Sequence, residues 1–270
     1  MGQLDKRADR IYRQNLKMST FKIGSATAKG GFANEKEIAK KFNNWKKDVQ
    51  AQLWLKIMGY DVNKLDSVEA VIVPRQKTDI QVKIIIVTGK IIKVENLSLK
   101  KANSDANFNQ VDKRWVDSYQ EMWKFNDEIA RGLKLFTGEI APAKSIISKL
   151  RDKRRMHLDE LPESLKNKII KFFKDNKILV ITDILKGRGP LSADWMMVTM
   201  YDKKFNTTTF ILKDINTAMN FFGSGDVTIS PKGSIYIGRV TMMRKGGDAG
   251  RKTAQMLQFK INPCELFQSA

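Results

Sequence analysis

The most regular alternation of apolar and polar positions lies in residues 78–100. Apolar residues occupy every second position of its first half, and this period of two predicts a β-strand with one buried face. A second arm runs from Ile91 to Lys100, both arms are rich in β-branched residues, and Gly89 lies between them. We therefore expect a β-hairpin. The alternating apolar residues are Ile80, Val82, Ile84 and Ile86.

This hairpin is expected to gather three polar side chains on one face. A turn at Thr88-Gly89 places Asp79 opposite Ser98, and a turn at Gly89-Lys90 places it opposite Lys100. In metal-assisted phosphodiester cleavage a carboxylate holds the cation, while a lysine orients water or stabilises charge on the phosphate. The alternative is an ordinary cross-strand ion pair, which the spacing alone favours.

Preceding the hairpin, we expect a strand at Val68–Val73 and, before it, a helix from Glu35 to Met58, capped by Asn34 and ended by Gly59. Glu35 projects from the apolar stripe of this helix at its N-terminal end. It is either a first-turn acid favoured by the helix dipole or a further carboxylate for a metal site. The stripe comprises Ile38, Phe42, Trp45, Val49 and Leu53.

A polar loop at 103–110 is followed by a predicted long helix that ends near Phe136. Trp115, Tyr119 and Trp123 recur at helical spacing along it and are expected in the core. At the start of this helix an apolar, an amide and a cationic side chain cluster. They suit insertion into a DNA groove, or equally a hydrophobic staple with two solvated neighbours. These three residues are Phe108, Gln110 and Lys113.

The C-terminal half is predicted to be rich in strands around a basic loop, Arg244–Arg251, that contains three glycines. Glycines allow close approach of a backbone, and the cations suit phosphate or base-edge contacts, although a solvated hairpin tip fits as well. No lysine-serine or lysine-threonine pair completes a nucleotide-binding loop there, which argues against ATP. The expected elements are a helix opened by Pro162, strands at Ile178–Ile181, Trp195–Met200 and Thr208–Leu212, a helix ending at Gly223, and strands at Val227–Ser230, Ser234–Met243 and Thr253–Ile261.

Charge narrows the class of partner. Lys and Arg number 49 against 29 Asp and Glu, a formal net charge of +20 spread over the whole length, which favours a polyanion such as nucleic acid. The single cysteine, Cys264, and single histidine, His157, argue against disulfides and against Cys- or His-rich metal sites. Without a long apolar run or a signal core, we expect a cytoplasmic protein with no membrane partner, and residues 1–17 to form a basic peripheral extension.

Several short stretches occur in an order that is similar to a known family. They are GFANEKEIAKKF (31–42), FNQVDKRW (108–115), YQEMWKF (119–125), TDILKGRG (182–189), GSGDVTISPKGSI (223–235) and GRVTMMRKGGDAGRKTAQMLQFKINP (238–263). The chain resembles type II restriction endonucleases of the PD-(D/E)xK superfamily, most closely the four-base cutters that act at GCGC. The resemblance covers about Thr20 to Phe267.

The resemblance implies an α/β (mixed α+β) fold with a central mixed sheet flanked by helices and a C-terminal β-rich DNA-reading region. It implies one domain over 18–270, with a catalytic core to about residue 140 and a recognition part from about 141. The implied activity is Mg²⁺-dependent hydrolysis of double-stranded DNA at a short palindrome. The implied partners are that DNA, a second copy in a homodimer, and a cognate DNA methyltransferase of the same restriction-modification system.

Carried over to this sequence, Asp79 matches the first acid of the family's metal site and Lys100 its terminal lysine. Ser98 stands where the superfamily usually has Asp or Glu, so it leaves the site one charged ligand short. Glu35 or the backbone carbonyl of Leu99 would then complete the Mg²⁺ shell. A structure-specific nuclease of the same superfamily, or a DNA-binding protein without catalysis, remains an alternative.

The resemblance also implies a DNA-binding surface. Phe108, Gln110 and Lys113 match a stretch that enters the DNA groove in the resembled group. A C-terminal reading surface is implied as well, without a division into base and phosphate contacts. Its residues are Asp226, Arg239, Arg244, Lys245, Asp248, Arg251, Gln258 and Lys260.

Overall fold

The computed structural model describes residues 30–73, 80–86, 91–102, 108–202, 205–247 and 250–269, and for 81–86 and 269 the backbone alone. The helices in these ranges are α1 (30–43), α2 (Val49–Ile57), α3 (Val116–Trp123), α4 (Asp127–Thr137), α5 (Glu163–Asp175), α6 (Lys177–Leu185) and α7 (Ile215–Gly223). The strands are β1 (Leu65–Ile72), β2 (Ile80–Ile86), β3 (Ile91–Ala102), β4 (Asn109–Arg114), β5 (Trp195–Asp202), β6 (Thr207–Asp214), β7 (Val227–Ile229), β8 (Ile235–Ile237), β9 (Val240–Arg244) and β10 (Leu257–Ile261).

The first sheet is mixed and has the strand order β1-β2-β3-β5-β6. β3 and β5 are parallel, and the other neighbours are antiparallel. The antiparallel sections come from consecutive strands, whereas the parallel pair requires the long crossover between β3 and β5, as parallel pairing does. The predicted mixed α/β class is confirmed.

The central hairpin has the register expected for a Thr88-Gly89 turn. Ile80 pairs with Leu97 and Ile86 pairs with Ile91. The turn itself and Asp79 lie outside the described residues. β3 continues to Ala102, five residues beyond its last described pair with β2, and there it pairs with β5.

The second sheet is antiparallel, with the order β4-β10-β9-β8-β7. Most of it comes from the C-terminal region, as expected, but β4 precedes α3 in the chain. The first sheet in turn takes β5 and β6 from Trp195–Asp214. The predicted division near residue 140 therefore does not separate the two sheets, since the chain crosses between them more than once.

Two apolar clusters give the molecule its layers. The smaller joins α1 and α2 to one face of the first sheet and includes Leu97 and Leu99 of β3. The larger lies between the other face of that sheet, α3–α7 and the inner face of the second sheet, where Phe259 is fully buried. Both faces of the first sheet and one face of the second are covered in this way because their apolar side chains must leave water. None of the described helices has the length and apolarity needed to cross a membrane.

The helix predicted from Glu35 to Met58 is instead two helices, because the chain turns at 44–47. Asp48 caps α2, and its carboxylate accepts a hydrogen bond from the amide of Ala51 at 2.9 Å. The predicted Asn34 cap is wrong, since Asn34 lies inside α1 and is buried, where its side-chain oxygen accepts a hydrogen bond from the Thr199 hydroxyl at 3.1 Å.

This break changes which residues of the predicted stripe reach the core. Ile38, Phe42 and Trp45 are buried as expected, but Val49 and Leu53 are exposed. Ala51, Trp54, Leu55 and Met58 take their place. Gly59 has a φ of +89°, which only glycine adopts readily, and ends the second helix as predicted.

Two further predictions in the helical layer are wrong. The long helix to Phe136 is strand β4 followed by α3 and α4, with Lys124 in a left-handed conformation (φ 57°) and Asn126 capping α4. The strand predicted at Ile178–Ile181 is part of helix α6. A short apolar run does not distinguish a buried strand from a buried helix, and here the helix forms.

Asn96 fixes the middle of β3 to the segment that leads into β5. Its buried side-chain amide donates hydrogen bonds to the carbonyl oxygens of Pro190 (3.0 Å) and Ser192 (2.9 Å). Its backbone amide donates to the carboxylate of Asp194 at 2.9 Å. These bonds hold the parallel pair in register two residues before Ser98.

We predict that Asn96→Ala lowers the free energy of unfolding by about 2 kcal/mol, because two carbonyls lose their buried donor. Urea denaturation followed by circular dichroism would measure this. Asn63→Ala, at an exposed position, is the matched control and should change stability by less than about 0.5 kcal/mol. Equal stability of the two variants would contradict the anchoring role of Asn96.

Candidate functional site

Ser98 and Lys100 lie on the face of β3 that is turned toward the larger apolar cluster. In the register with β5 they pair with Met196 and Val198, which belong to that cluster. Ser98 is buried, and Lys100 is half-buried. The Lys100 ammonium donates hydrogen bonds to the Ser98 hydroxyl oxygen at 3.0 Å and to the Leu99 carbonyl oxygen at 3.1 Å. The two side chains predicted to act together are therefore in contact.

Of the two other predicted site acids, Asp79 and Glu35, only Glu35 belongs to the described residues. Asp79 lies outside the described residues, although its neighbour Ile80 is described and pairs with Leu97. Glu35 is half-buried on α1, one residue after Asn34, whose side chain reaches Thr199 on β5.

Glu37 of α1 lines a cavity of about 210 Å³ together with Thr208 and Phe210 of β6. Residues two apart on a helix differ by about 160° around its axis, so Glu35 does not share the direction of Glu37.

Within the described ranges, no group of three His, Cys, Asp or Glu side chains forms a metal site. Two oxygen atoms that accept hydrogen bonds from Lys100 are the Ser98 hydroxyl and the Leu99 carbonyl. Oxygen donors suit hard divalent cations such as Mg²⁺, but these two carry no charge. A metal here would depend on carboxylates from elsewhere in the chain.

The second sheet brings several of the predicted DNA-contacting residues together. The loop-helix junction expected for Phe108, Gln110 and Lys113 is wrong, because Gln110 and Lys113 lie on strand β4 and Phe108 directly precedes it, with 52% of its surface exposed. Gln110 pairs with Lys260, and Lys113 pairs with Gln258. Sequence patterning did not show this strand because Val111 is its only apolar residue.

A polar row crosses the whole sheet on the face opposite Phe259. Strand register aligns Gln110, Lys260, Thr241, Tyr236 and Thr228 across the five strands. Burial lowers the pKa of the Lys260 amine below its usual value. Gln258, in the adjacent row, is buried, and its amide donates to the carbonyls of Arg244 and Lys245 at 3.4 Å each.

The glycine-rich loop borders a cationic cavity of about 320 Å³. Gly246, Gly247 and Gly250 have φ values of +64°, +58° and +83°, and added Cβ atoms would meet nothing within 4 Å, so backbone conformation rather than space requires glycine here. Arg251 is exposed on the wall of this cavity. The other cations around it are Arg154, Arg244 and Lys252. Lys245 is half-buried at the start of the loop, and Asp248 lies outside the described residues.

The remaining predicted DNA contacts have internal partners or lie elsewhere. Arg244 donates to the Ala254 carbonyl at 3.0 Å, and burial lowers its pKa. Arg239 stacks on Phe221, 4.5 Å from the ring centroid, and donates to Glu265 at 3.3 Å. Asp226 is exposed beside β7, at the edge of the sheet farthest from β4.

A cavity of about 600 Å³ runs along β4 and faces the segment after α6. Two buried carboxylates, Asp112 and Asp183, and two arginines, Arg114 and Arg188, line it with Gln110 and Lys113. Sequence reasoning missed the four. Two of the stretches quoted above were the available signal, because FNQVDKRW contains Asp112 and Arg114 and TDILKGRG contains Asp183 and Arg188.

A family model supplies the decisive observation. The model of the R.HinP1I restriction endonuclease family matches residues 58–267. The chain belongs to the R.HinP1I restriction endonuclease family. A structure of restriction endonuclease MspI in complex with its cognate DNA is similar, with a TM-score of 0.60 and 12% sequence identity over 93% of this chain and 97% of that chain. At this identity the likeness shows the fold, and no curated protein sequence matches significantly.

As a member of the R.HinP1I family, the chain is a type II restriction endonuclease, a nuclease that cuts DNA at specific sites. The matched range contains Asp79, Ser98 and Lys100, whereas Glu35 precedes it. The net charge of +20 and the cationic cavities described above agree with binding to DNA.

We predict that Lys260→Met raises the melting temperature of the DNA-free protein. Burial lowers the pKa of this amine from its usual 10.5, so folding at neutral pH must either desolvate the ammonium or release its proton, and both lower the stability. Above both pKa values the amine is neutral in either state, so the advantage of the methionine should shrink as pH rises toward 10.5. Thermal melts at pH 7 and pH 10 would measure this, and a larger advantage at pH 10 would contradict it.

Proposed function

We propose that this protein is a Mg²⁺-dependent type II restriction endonuclease that hydrolyses both strands of DNA at a short palindrome, with GCGC as the leading candidate. The observation that carries the proposal is the contact between the Lys100 ammonium and the Ser98 hydroxyl on β3. This pair lies beside the strand that Asp79 precedes by one residue. The family match supports the reaction class.

Asp79 is proposed as the metal-holding acid. Consecutive Cα atoms are about 3.8 Å apart, so Asp79 must begin close to Ile80, which pairs with Leu97. Continuing that register by one residue would bring Asp79 opposite Ser98. Ser98 would then orient a ligand or water without contributing charge, and Lys100 would position the attacking water or stabilise the charge developing on the phosphate.

The donor atoms near Lys100 fit Mg²⁺ in type, and the charge would come from Asp79 and Glu35. A bound Mg²⁺ would polarise the phosphate and lower the pKa of bound water. The Leu99 carbonyl would be a neutral ligand, although in this structure it accepts a hydrogen bond from Lys100. Glu35 belongs to a helix that packs on the opposite sheet face, with Leu97 and Leu99, so we assign it a supporting role.

For DNA contact we divide the predicted residues by their accessibility. Phe108, Gln110, Lys113 and Lys260 lie on or beside the polar face of the second sheet and are proposed to meet base edges. The other predicted residues are divided by their surroundings. In the glycine-rich loop the proposed DNA contacts are Lys245, Asp248 and Arg251, and at the β7 edge they are Asp226 and Arg239. Arg244 and Gln258 are proposed to support the loop through hydrogen bonds to backbone carbonyls.

Three wider proposals rest on the family. We propose a catalytic part centred on the first sheet and a recognition part centred on the second, in place of a boundary in sequence near residue 140. A palindromic target suggests a two-fold homodimer. A cognate methyltransferase would protect the same site in the host DNA without forming a stable complex.

The first test is digestion of unmethylated plasmid by the purified protein, with Mg²⁺ and with EDTA, followed by sequencing of the ends. We expect discrete fragments that share one tetranucleotide with Mg²⁺ and none with EDTA. Cleavage of branched DNA without sequence preference would instead indicate a structure-specific nuclease. Intact plasmid in both reactions, together with tight gel-shifted complexes, would mean that the substitution at Ser98 has left a binding protein.

The second test concerns the catalytic residues. Asp79→Asn and Lys100→Met should each lower the single-turnover cleavage rate at least about a hundredfold, because each removes a group that stabilises the transition state. Glu35→Gln should lower it less. Lys101→Met, on the same strand but facing the other way, is the matched control and should cleave at the native rate. Native rates for Asp79→Asn would overturn the site.

A further inference from the structure

The cavity along β4 contains two arginine–carboxylate pairs with the same geometry. In each pair, two guanidinium nitrogens of the arginine donate hydrogen bonds to a buried carboxylate. Arg114 donates to Asp112 at 3.1 and 3.4 Å. Arg188 donates to Asp183 at 2.7 and 2.5 Å, and also to the Met122 carbonyl at 3.4 Å.

Each carboxylate is in turn fixed from within by an aromatic side chain of α3. The Tyr119 hydroxyl donates to Asp112 at 2.6 Å, and the Trp123 indole donates to Asp183 at 2.8 Å. The two rings stack on each other with centroids 4.7 Å apart. Burial raises the pKa of the Tyr119 hydroxyl above its usual value, and Asp112 raises it further, so the phenol keeps its proton and stays a donor.

This support leaves the outer ends of both guanidinium groups exposed. The side chain of Arg114 is 44% exposed and that of Arg188 is 54% exposed, whereas the carboxylates they bind are 6% and 4% exposed. In both arginines the bonds to the carboxylate use Nε and Nη2, and neither uses Nη1. The outer N–H of Nη2 and one N–H of Nη1 are parallel donors that can meet a planar pair of acceptors. In Arg188 the Met122 carbonyl accepts from Nη2 at 3.4 Å, a long contact that a DNA acceptor would have to replace.

We propose that Arg114 and Arg188 are a pair of DNA-recognition residues, each oriented by a buried carboxylate, that bind planar acceptor pairs of a DNA duplex lying along β4. This inference deepens the proposed function and rests on it for the identity of the ligand. The acceptor pair is either the O6 and N7 atoms of a guanine or two oxygens of a backbone phosphate. Asp112, Asp183, Tyr119 and Trp123 are positioning residues in this arrangement.

A purely internal role for these ion pairs is the competing explanation. A buried carboxylate needs a partner, and an arginine at the surface can supply it without binding anything else. Measurements of stability cannot distinguish the two explanations, because both predict a lower free energy of unfolding when an ion pair is broken. Measurements of DNA affinity can distinguish them, provided that the substitution keeps the positive charge beside each carboxylate.

The experiment measures binding in EDTA, so that no cleavage occurs, to a 20-base-pair duplex with a central GCGC. The variants are Arg114→Lys and Arg188→Lys, which keep the charge but lose the fork. Arg151→Lys is the matched control, because Arg151 is also bound to carboxylates and is 43% exposed, but it does not line this cavity. We expect each test variant to bind roughly tenfold or more weakly than the control.

Two modified duplexes identify the acceptor. If guanine is bound, replacing the guanines by 7-deazaguanine should weaken wild-type binding and leave the affected lysine variant unchanged. If phosphate is bound, replacing the contacted phosphates by neutral methylphosphonates should weaken wild-type binding and leave the affected lysine variant unchanged. Either result supports the proposal.

Lysine variants that bind the unmodified duplex as tightly as the wild type, while melting at the control temperature, would overturn it. The outcome is separable from that of the proposed function, because binding is measured without metal. A protein that fails to cut plasmid can still confirm the two arginines. A protein that cuts at a defined site can still refute them.

Discussion

The structure depends on the burial of polar side chains in β3. From Asn96 to Leu99 this strand is covered on both faces, so any polar group there must find a partner inside the protein. Asn96 meets this requirement through two carbonyls of the segment before β5. Lys100, at the edge of the same stretch, bonds to Ser98 and to the carbonyl of the preceding residue.

The same constraint suits a serine at position 98. A carboxylate so deeply buried would need compensating charge, whereas a hydroxyl needs only hydrogen bonds. Lys100 supplies one of these at 3.0 Å. The Lys100 ammonium is thus held against β3 by hydrogen bonds to Ser98 and to the Leu99 carbonyl.

Much of the first sheet could be predicted from sequence because its pattern is strong. The alternation from Ile80 to Ile86 predicted the strand, whereas the turn residues left two registers open, of which the pairing of Ile80 with Leu97 matches one. The α1–α2 break could not be seen, because apolar residues happen to continue at helical spacing through Val49 and Leu53. At those positions tertiary packing, and not periodicity, decides which side chains are buried.

The candidate site likewise contains some residues whose contacts could be predicted from the sequence and others whose contacts could not. Ser98 and Lys100 follow from alternation within one strand, so their contact was predictable. The pairing of Gln110 with Lys260 joins positions 150 residues apart and depends on a strand with a single apolar residue, which no local pattern reveals. Asp112 and Asp183 were missed for a related reason, since a buried acid looks like a surface acid until its aromatic donors are known.

The interleaving of the two sheets along the chain limits how this protein can change. β4 of the second sheet is encoded before β5 and β6 of the first, so no continuous segment carries either sheet alone. A continuous block that carried all the strands of one sheet into a related protein would therefore also carry strands of the other. The two sheets can be exchanged only together.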